Sequence, residues 1–219
     1  MVYLFPIFAV LFGASVAYYF KPYTPKGIKM ILAFSGAYLL GILILDMLPH
    51  IYDSNGGRSG IWILAGIVFQ NFLEFFSKGA EHGHTTHSTH EKMPWLLLSL
   101  SIHAFLEGLP LPHQTKLLWA VSVHKIPIGL VVGLMLFQIK GRTSLKFGAL
   151  TLFAVMTPLG SLLGGALNSH FLMGIIEPFI VGILFHISTT ILFESSEGHE
   201  FNLHKFLSIL LGIGIAAFV

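Results

Sequence analysis

The sequence has no cysteine, so disulfides and thiolate metal sites are excluded outright. Charge is scarce as well: Asp, Glu, Lys and Arg make up 10% of 219 residues, where a soluble domain carries about 25%. So few charges cannot coat a water-facing surface around a chain that is 54% hydrophobic, with a mean hydropathy of +0.80. The solvent implied is lipid. A net charge of +2 is too small to suggest a nucleic-acid partner. The apolar N-terminus lacks the basic residues that open a secretory signal. Its first lysine, Lys21, comes after the apolar run, and no small-residue cleavage pattern follows. It reads as a first membrane helix.

A helix needs roughly 20 mostly apolar residues to cross about 30 Å of hydrocarbon. Eight stretches qualify, approximately 3–20, 29–52, 60–78, 94–111, 117–139, 146–167, 172–193 and 203–219. The connections are short, and none is long enough to separate domains, so residues 1–219 read as one all-α transmembrane domain. The best-marked loop is 79–93, GAEHGHTTHSTHEKM, which holds His82, His84, His87 and His90. Basic loops stay cytoplasmic. With eight spans, Lys21, Lys26, Lys29, Lys78, Lys92, Lys140, Arg142, Lys146 and Lys205 share one side. Only Arg58 and Lys116 fall on the other, and Lys125 lies inside a helix. Both termini are therefore expected outside, with the histidine-rich loop facing the cytoplasm.

Ionisable residues inside such helices are the informative ones, since each costs about 3 kcal/mol at the bilayer centre. In SLSIHAFLEGLPL of the fourth helix, His103 and Glu107 are four apart and so share one face. An imidazole and a carboxylate so placed can ligate one ion; equally, they can form a buried hydrogen bond that holds helices together. In SVHKIPIGLVVGL of the fifth, His124 and Lys125 precede Pro127, which deprives the Val123 carbonyl of its donor and favours a bend. A bend beside a mid-membrane histidine suits a coordination site, although a packing kink is the alternative. The second helix ends LILDMLPHIYD, with Asp46 and His50 flanking Pro49. His186 lies midway along the seventh helix, where a hydrogen-bonded core histidine is the commoner outcome. Glu74, near Gln70 and Asn71, reads as an interface residue.

Histidine and carboxylate without sulfur suit zinc, iron(II), manganese and related ions, and argue against copper(I). Because histidine must be neutral to ligate, such binding competes with protons near neutral pH. Gly129-xxx-Gly133 and Gly160-xxx-Gly164 read as helix-packing positions.

On these motifs the chain resembles the ZIP (Zrt-, Irt-like protein) family of divalent-metal transporters. The resemblance is carried by FSGAYLLGILILDMLPH, HAFLEGLPL, HKIPIG, TPLGSLLG and PFIVGILFH, together with the histidine-rich loop. It implies an eight-helix bundle with inverted repeats, elevator-like motion and a homodimer. It also implies a metal site between the fourth and fifth helices, with His103, Glu107 and His124 as ligands. Ile128 and Lys125 stand where many members carry ligands of a second metal, so a single site is expected, as in the subgroup with a His-Lys pair. Lys125 would then stand in for the second ion and pair with Glu107 or another carboxylate. Asp46, His50 and His186 match polar positions along the pathway.

The function expected is uptake of zinc, with Fe2+, Mn2+, Cd2+ and Co2+ as other candidate cargoes. The metal would pass Asp46 and His50, bind His103, Glu107 and His124, and leave toward His82, His84, His87 and His90; a polar linker that chelates incidentally is the other reading of that loop. A metal exporter would use the same site. An intramembrane zinc hydrolase would also need three ligands and an open position, but no H-E-x-x-H is present and no separate base stands out. Partners are thus divalent metals and the bilayer, and the short chain without a large ectodomain points to a bacterial inner membrane.

Overall fold

In lipid a spanning segment must satisfy its own backbone, as a helix or in a closed barrel, and continuous apolar runs of about 20 residues fit the helix. The computed structural model describes residues 4–20, 25–77, 89–167, 170–194 and 203–219, and these are helical almost throughout. In chain order they form α1 (Phe5–Tyr19), α2 (Pro25–Ile42), α3 (Leu48–Asn55), α4 (Ser59–Ser77), α5 (Thr89–Gly108), α6 (Thr115–Gln138), α7 (Thr143–Ala166), α8 (His170–Glu194) and α9 (Leu203–Phe218). A π-helical turn, Leu43–Met47, joins α2 to α3 into one continuous helix. The eight predicted helices are therefore all present, the second in two pieces. Among the described residues, Gly27–Ser54, Thr115–Gln138, Thr143–Ala166 and Leu172–Phe193 are long and apolar enough to cross a membrane. The first and last helices are apolar but shorter.

Two local departures from the sequence expectation have physical causes. Pro49 lacks an N–H, so the carbonyl of Leu45 has no donor one α-turn on. The chain widens there, and the N–H of Leu48 reaches back to the Leu43 carbonyl instead. The fourth helix begins at Thr89 rather than at Pro94, so the loop expected over 79–93 gives up its last residues to α5. Pro94 costs only a bond to the polar first turn, which the end of a helix can satisfy otherwise. At the other end α5 stops at Gly108, because Pro110 disfavours helical backbone at Leu109.

The helices associate in pairs: α1 with α6, α5 with α7, α2 with α9, and α4 with α8. Small residues bring their backbones together. Gly160 of α7 lies on the Phe105 carbonyl of α5 and Gly164 on that of Leu109, where any Cβ would collide with backbone. Gly129 of α6 meets the Val10 backbone of α1 in the same way, and Gly133 packs tightly against Ala14 and Ala17. Both G-x-x-x-G pairs are packing positions, as read from the sequence. Further contacts group α1, α5, α6 and α7 on one hand, and α2, α4, α8 and α9 on the other. The two sets meet where α2 touches α6 and α4 touches α5.

Polarity runs opposite to that of a soluble protein. Phe8, Phe72, Phe75 and Phe193 are among many large apolar side chains left exposed, while Glu107 and Lys125 are buried. Such an exterior is matched to lipid, and the buried charges need partners inside.

Candidate functional site

The α-helical repeat sets His103 and Glu107 one above the other on α5, with Nε2 of the imidazole 3.1 Å from Oε2 of the carboxylate. The other oxygen, Oε1, is ion-paired with Nζ of Lys125 from α6. Oε1 also accepts a hydrogen bond of 3.0 Å from the Thr157 hydroxyl of α7. One turn before Thr157, the ring of Phe153 presents its face to the lysine, with Nζ 4.7 Å from the ring centroid. Glu107 is wholly buried and Lys125 is 1% exposed. Two charges taken out of water at this depth persist only because each compensates the other.

Local sequence explains how three helices reach one carboxylate. Gly108, next to Glu107, faces the carbonyl of Thr157, so α7 comes close enough for the threonine hydroxyl to bond Oε1. The backbones of α5 and α6 share little direct packing, and the long Lys125 side chain spans the gap. The His103–Glu107 contact itself lies within α5, so it cannot tie helices together. Lys125 and Thr157 make the ties between helices.

Of the three predicted ligands, the structure brings His103 and Glu107 into contact. His124 is buried on α6 beside Lys125, but no three His, Cys, Asp or Glu side chains among the described residues form a cluster that could hold a metal ion. The ammonium of Lys125 takes the position at Oε1 instead. The family resemblance led to the expectation that Lys125 pairs with Glu107 or another carboxylate, and the structure pairs it with Glu107. The helix α6 runs through Pro127 without interruption. A π-helical turn occurs in the second helix, where Asp46 sits.

Away from this centre, Asp46 Oδ1 lies 2.9 Å from Lys116 Nζ at the start of α6, a partly exposed pair linking the two helix sets. His50 is exposed on α3. His186 of α8 meets Glu74 of α4, Nε2 to Oε2 at 2.8 Å, with the Thr190 hydroxyl 3.5 Å from the same nitrogen. Glu74 is thus a partner within the bundle rather than a residue reaching for the interface. His82, His84 and His87 lie outside the described residues; His90 falls in the first turn of α5, and its side chain lies outside them too.

Sequence reasoning passed over Thr157 and Phe153, whose roles depend on how α7 packs. It also passed over Glu177, a buried carboxylate of α8 that accepts a bond of 3.4 Å from Gln114. An acid inside the apolar run EPFIVGILFH was the available signal for the last.

A family model described as ZIP Zinc transporter matches residues 84–219, from the histidine-rich loop through α9. The match is narrower than the motif resemblance, which extends into the second helix. No curated protein matches the chain.

Proposed function

Because the chain belongs to the ZIP zinc transporter family, an integral-membrane family of divalent-metal carriers, we propose that it carries zinc into the cytoplasm through one intramembrane site made by His103, Glu107 and His124. The observation that carries the reading is Glu107, a fully buried carboxylate with an imidazole on one oxygen and an ammonium on the other. Imidazole and carboxylate suit zinc, with Fe2+, Mn2+, Cd2+ and Co2+ as further cargoes. Binding requires Lys125 to yield Oε1 and His124 to turn toward the ion. Lys125 and Ile128 leave no room in charge or chemistry for a second metal.

In this reading both termini are outside, so the Asp46, Lys116 and His50 region forms the external approach, and His186 with Glu74 lies toward the cytoplasmic exit and the loop histidines. The set α1, α5, α6 and α7 carries the site, and it slides against α2, α4, α8 and α9 as an elevator. That division follows the helix contacts, and a site near the midplane is what carriers of this kind use. A dimer in a bacterial inner membrane is the proposed setting.

Radioactive zinc uptake into proteoliposomes tests the proposal by comparing the wild type with His103→Ala and His124→Ala. Saturable uptake lost in both variants supports the site. Uptake kept by either variant removes that residue from it, and a wild-type protein that binds zinc without moving it ends the transport reading.

A further inference from the structure

We infer that the cleft between α5 and α7 holds one acyl chain of an anionic phospholipid, with its phosphate on Arg142 and Lys146. The inference stands apart from the metal chemistry. At about 100° per residue, the cleft occupies the face of α5 opposite to His103 and Glu107.

The cleft exists because glycine closes only one end of this helix pair. Gly160 meets Phe105 and Gly164 meets Leu109, so residue numbers rise together and the two helices run parallel. Toward their N-termini the facing positions are Pro94, Leu98 and Phe105 on α5, with Ala149, Leu152 and Met156 on α7. No glycine stands among them, and a space of about 500 Å³ lies between the helices. Leu98 and Leu152 are exposed along it, so it opens to lipid.

Depth, lining and charge together choose the occupant. Trp95, beside Pro94, is exposed, as are Tyr18 and Tyr19. The Tyr18 ring lies 6.3 Å from that of Phe147, at the start of α7. Exposed tryptophan and tyrosine mark the headgroup level of a membrane, so the cleft has its mouth there. From Pro94 to Leu106 it follows twelve residues of helix, about 18 Å at the helical rise, close to half of roughly 30 Å of hydrocarbon. That is the depth of one leaflet, which suits an acyl chain. A spanning helix would run on past the cleft. Apart from Ser101 the lining is apolar. At the mouth, Arg142, Lys146 and Ala149 follow at four and three residues and so share one face of α7. The first turn of α7 holds no acid, and Lys140 stands just before it. Glu91 and Lys92, at the start of α5, offset each other. The mouth is therefore net positive, and a guanidinium there can grip a phosphate with two donors. A bound chain fills the half of the α5–α7 pair that glycine leaves open, and so braces the helix of Glu107 against the helix of Thr157.

The test adds lipid to the full-length protein in an uncharged detergent and follows melting by tryptophan fluorescence. Native mass spectrometry counts the lipids retained, and each variant is compared with its own lipid-free melt. Dioleoyl phosphatidylglycerol raises the wild-type melting temperature by about 5–10 °C, the shift given by a ligand at about 100 times its Kd. One such lipid stays on each chain. Dioleoyl phosphatidylcholine, with the same chains and no net charge, gives a smaller rise. Arg142→Gln combined with Lys146→Gln removes the difference between the two lipids. Ala149→Leu narrows the cleft and lowers the response to both. Equal protection of the wild type by the two lipids overturns the inference, as does a charge variant that still prefers phosphatidylglycerol. An Ala149→Leu protein with the full wild-type response places the chain elsewhere and overturns it too. A lipid-free dimer that Ala149→Leu turns monomeric would give the cleft to a second copy instead. No step uses zinc, so these outcomes are independent of the transport reading.

Discussion

Replacing Gly108 with alanine adds a single carbon where α5 meets α7, and the structure sets its effect. The new Cβ falls on the Thr157 carbonyl, 2.9 Å from the Ser161 nitrogen and 3.1 Å from the Gly160 Cα. All three neighbours are backbone, so no side-chain rotation relieves the crowding and the helices must separate. Overpacking of this kind costs about 1–3 kcal/mol. Separation also draws Thr157 away from Glu107, and a hydrogen bond to a charged group contributes about 1.5–3 kcal/mol. Together these come to about 2.5–6 kcal/mol, a fall in melting temperature of roughly 5–20 °C. The three tryptophans give an intrinsic fluorescence signal to follow it in detergent. Gly148→Ala is the control, because it lies on the same α7 with nothing within 4 Å. There the substitution is neutral or stabilising by up to about 1 kcal/mol through helix propensity. A Gly108→Ala protein that melts with the wild type, or with the Gly148→Ala control, would refute the reasoning that backbone contact at this seam positions Thr157.

Three other outcomes are expected. Thr157→Val removes the hydroxyl while keeping the shape, and should lower stability by about 1.5–3 kcal/mol; Thr157→Ser should recover most of it in the same thermal assay. The Lys116–Asp46 pair has side chains 47% and 30% exposed, so Lys116→Met should change stability by less than about 1 kcal/mol. If Asp46 does serve incoming metal, that variant should lower the zinc concentration for half-maximal uptake, and Asp46→Asn should raise it. For His186 and Glu74, a double-mutant cycle with His186→Ala and Glu74→Gln should give a coupling energy of about 0.5–3 kcal/mol in unfolding measurements, and additivity would remove the contact from the account.

The helices were legible because hydropathy reports solvent directly, and in lipid an apolar run of sufficient length has little choice of structure. The His103–Glu107 contact was legible too, since four residues along a helix fix a shared face. That Lys125 would have an anionic partner was also legible, because an ammonium buried at this depth needs one, but charge did not choose Glu107 over another carboxylate. Beyond these, partners depended on helix packing that periodicity does not encode. Thr157 opens the motif TPLGSLLG and Phe153 stands one turn before it, but neither is tied to Glu107 until Gly108 and Gly160 set α7 against α5. Glu74 looked like a residue at the membrane edge because its partner, His186, is over a hundred positions away in the chain. The start of α5 was misplaced because a proline and a polar run resemble a loop, although a helix end tolerates both. His124, proposed as a ligand, is buried on α6, and spacing along the chain does not fix where a residue of one helix stands relative to Glu107 of another.

The π turn at Leu43–Met47 holds one residue more than an ordinary helical turn would. Everything beyond it is rotated by about 100° relative to an unbroken helix. The part before the turn keeps its small residues on α9, as Gly41 against Ala216 shows, while the part carrying Asp46 is aimed at Lys116. The extra residue acts as a phase shifter, letting one helix obey two neighbours with incompatible registers. Deleting Ile44 should therefore leave the α9 seam intact and turn Asp46 away from α6, which cysteine cross-linking between positions 46 and 116 would detect.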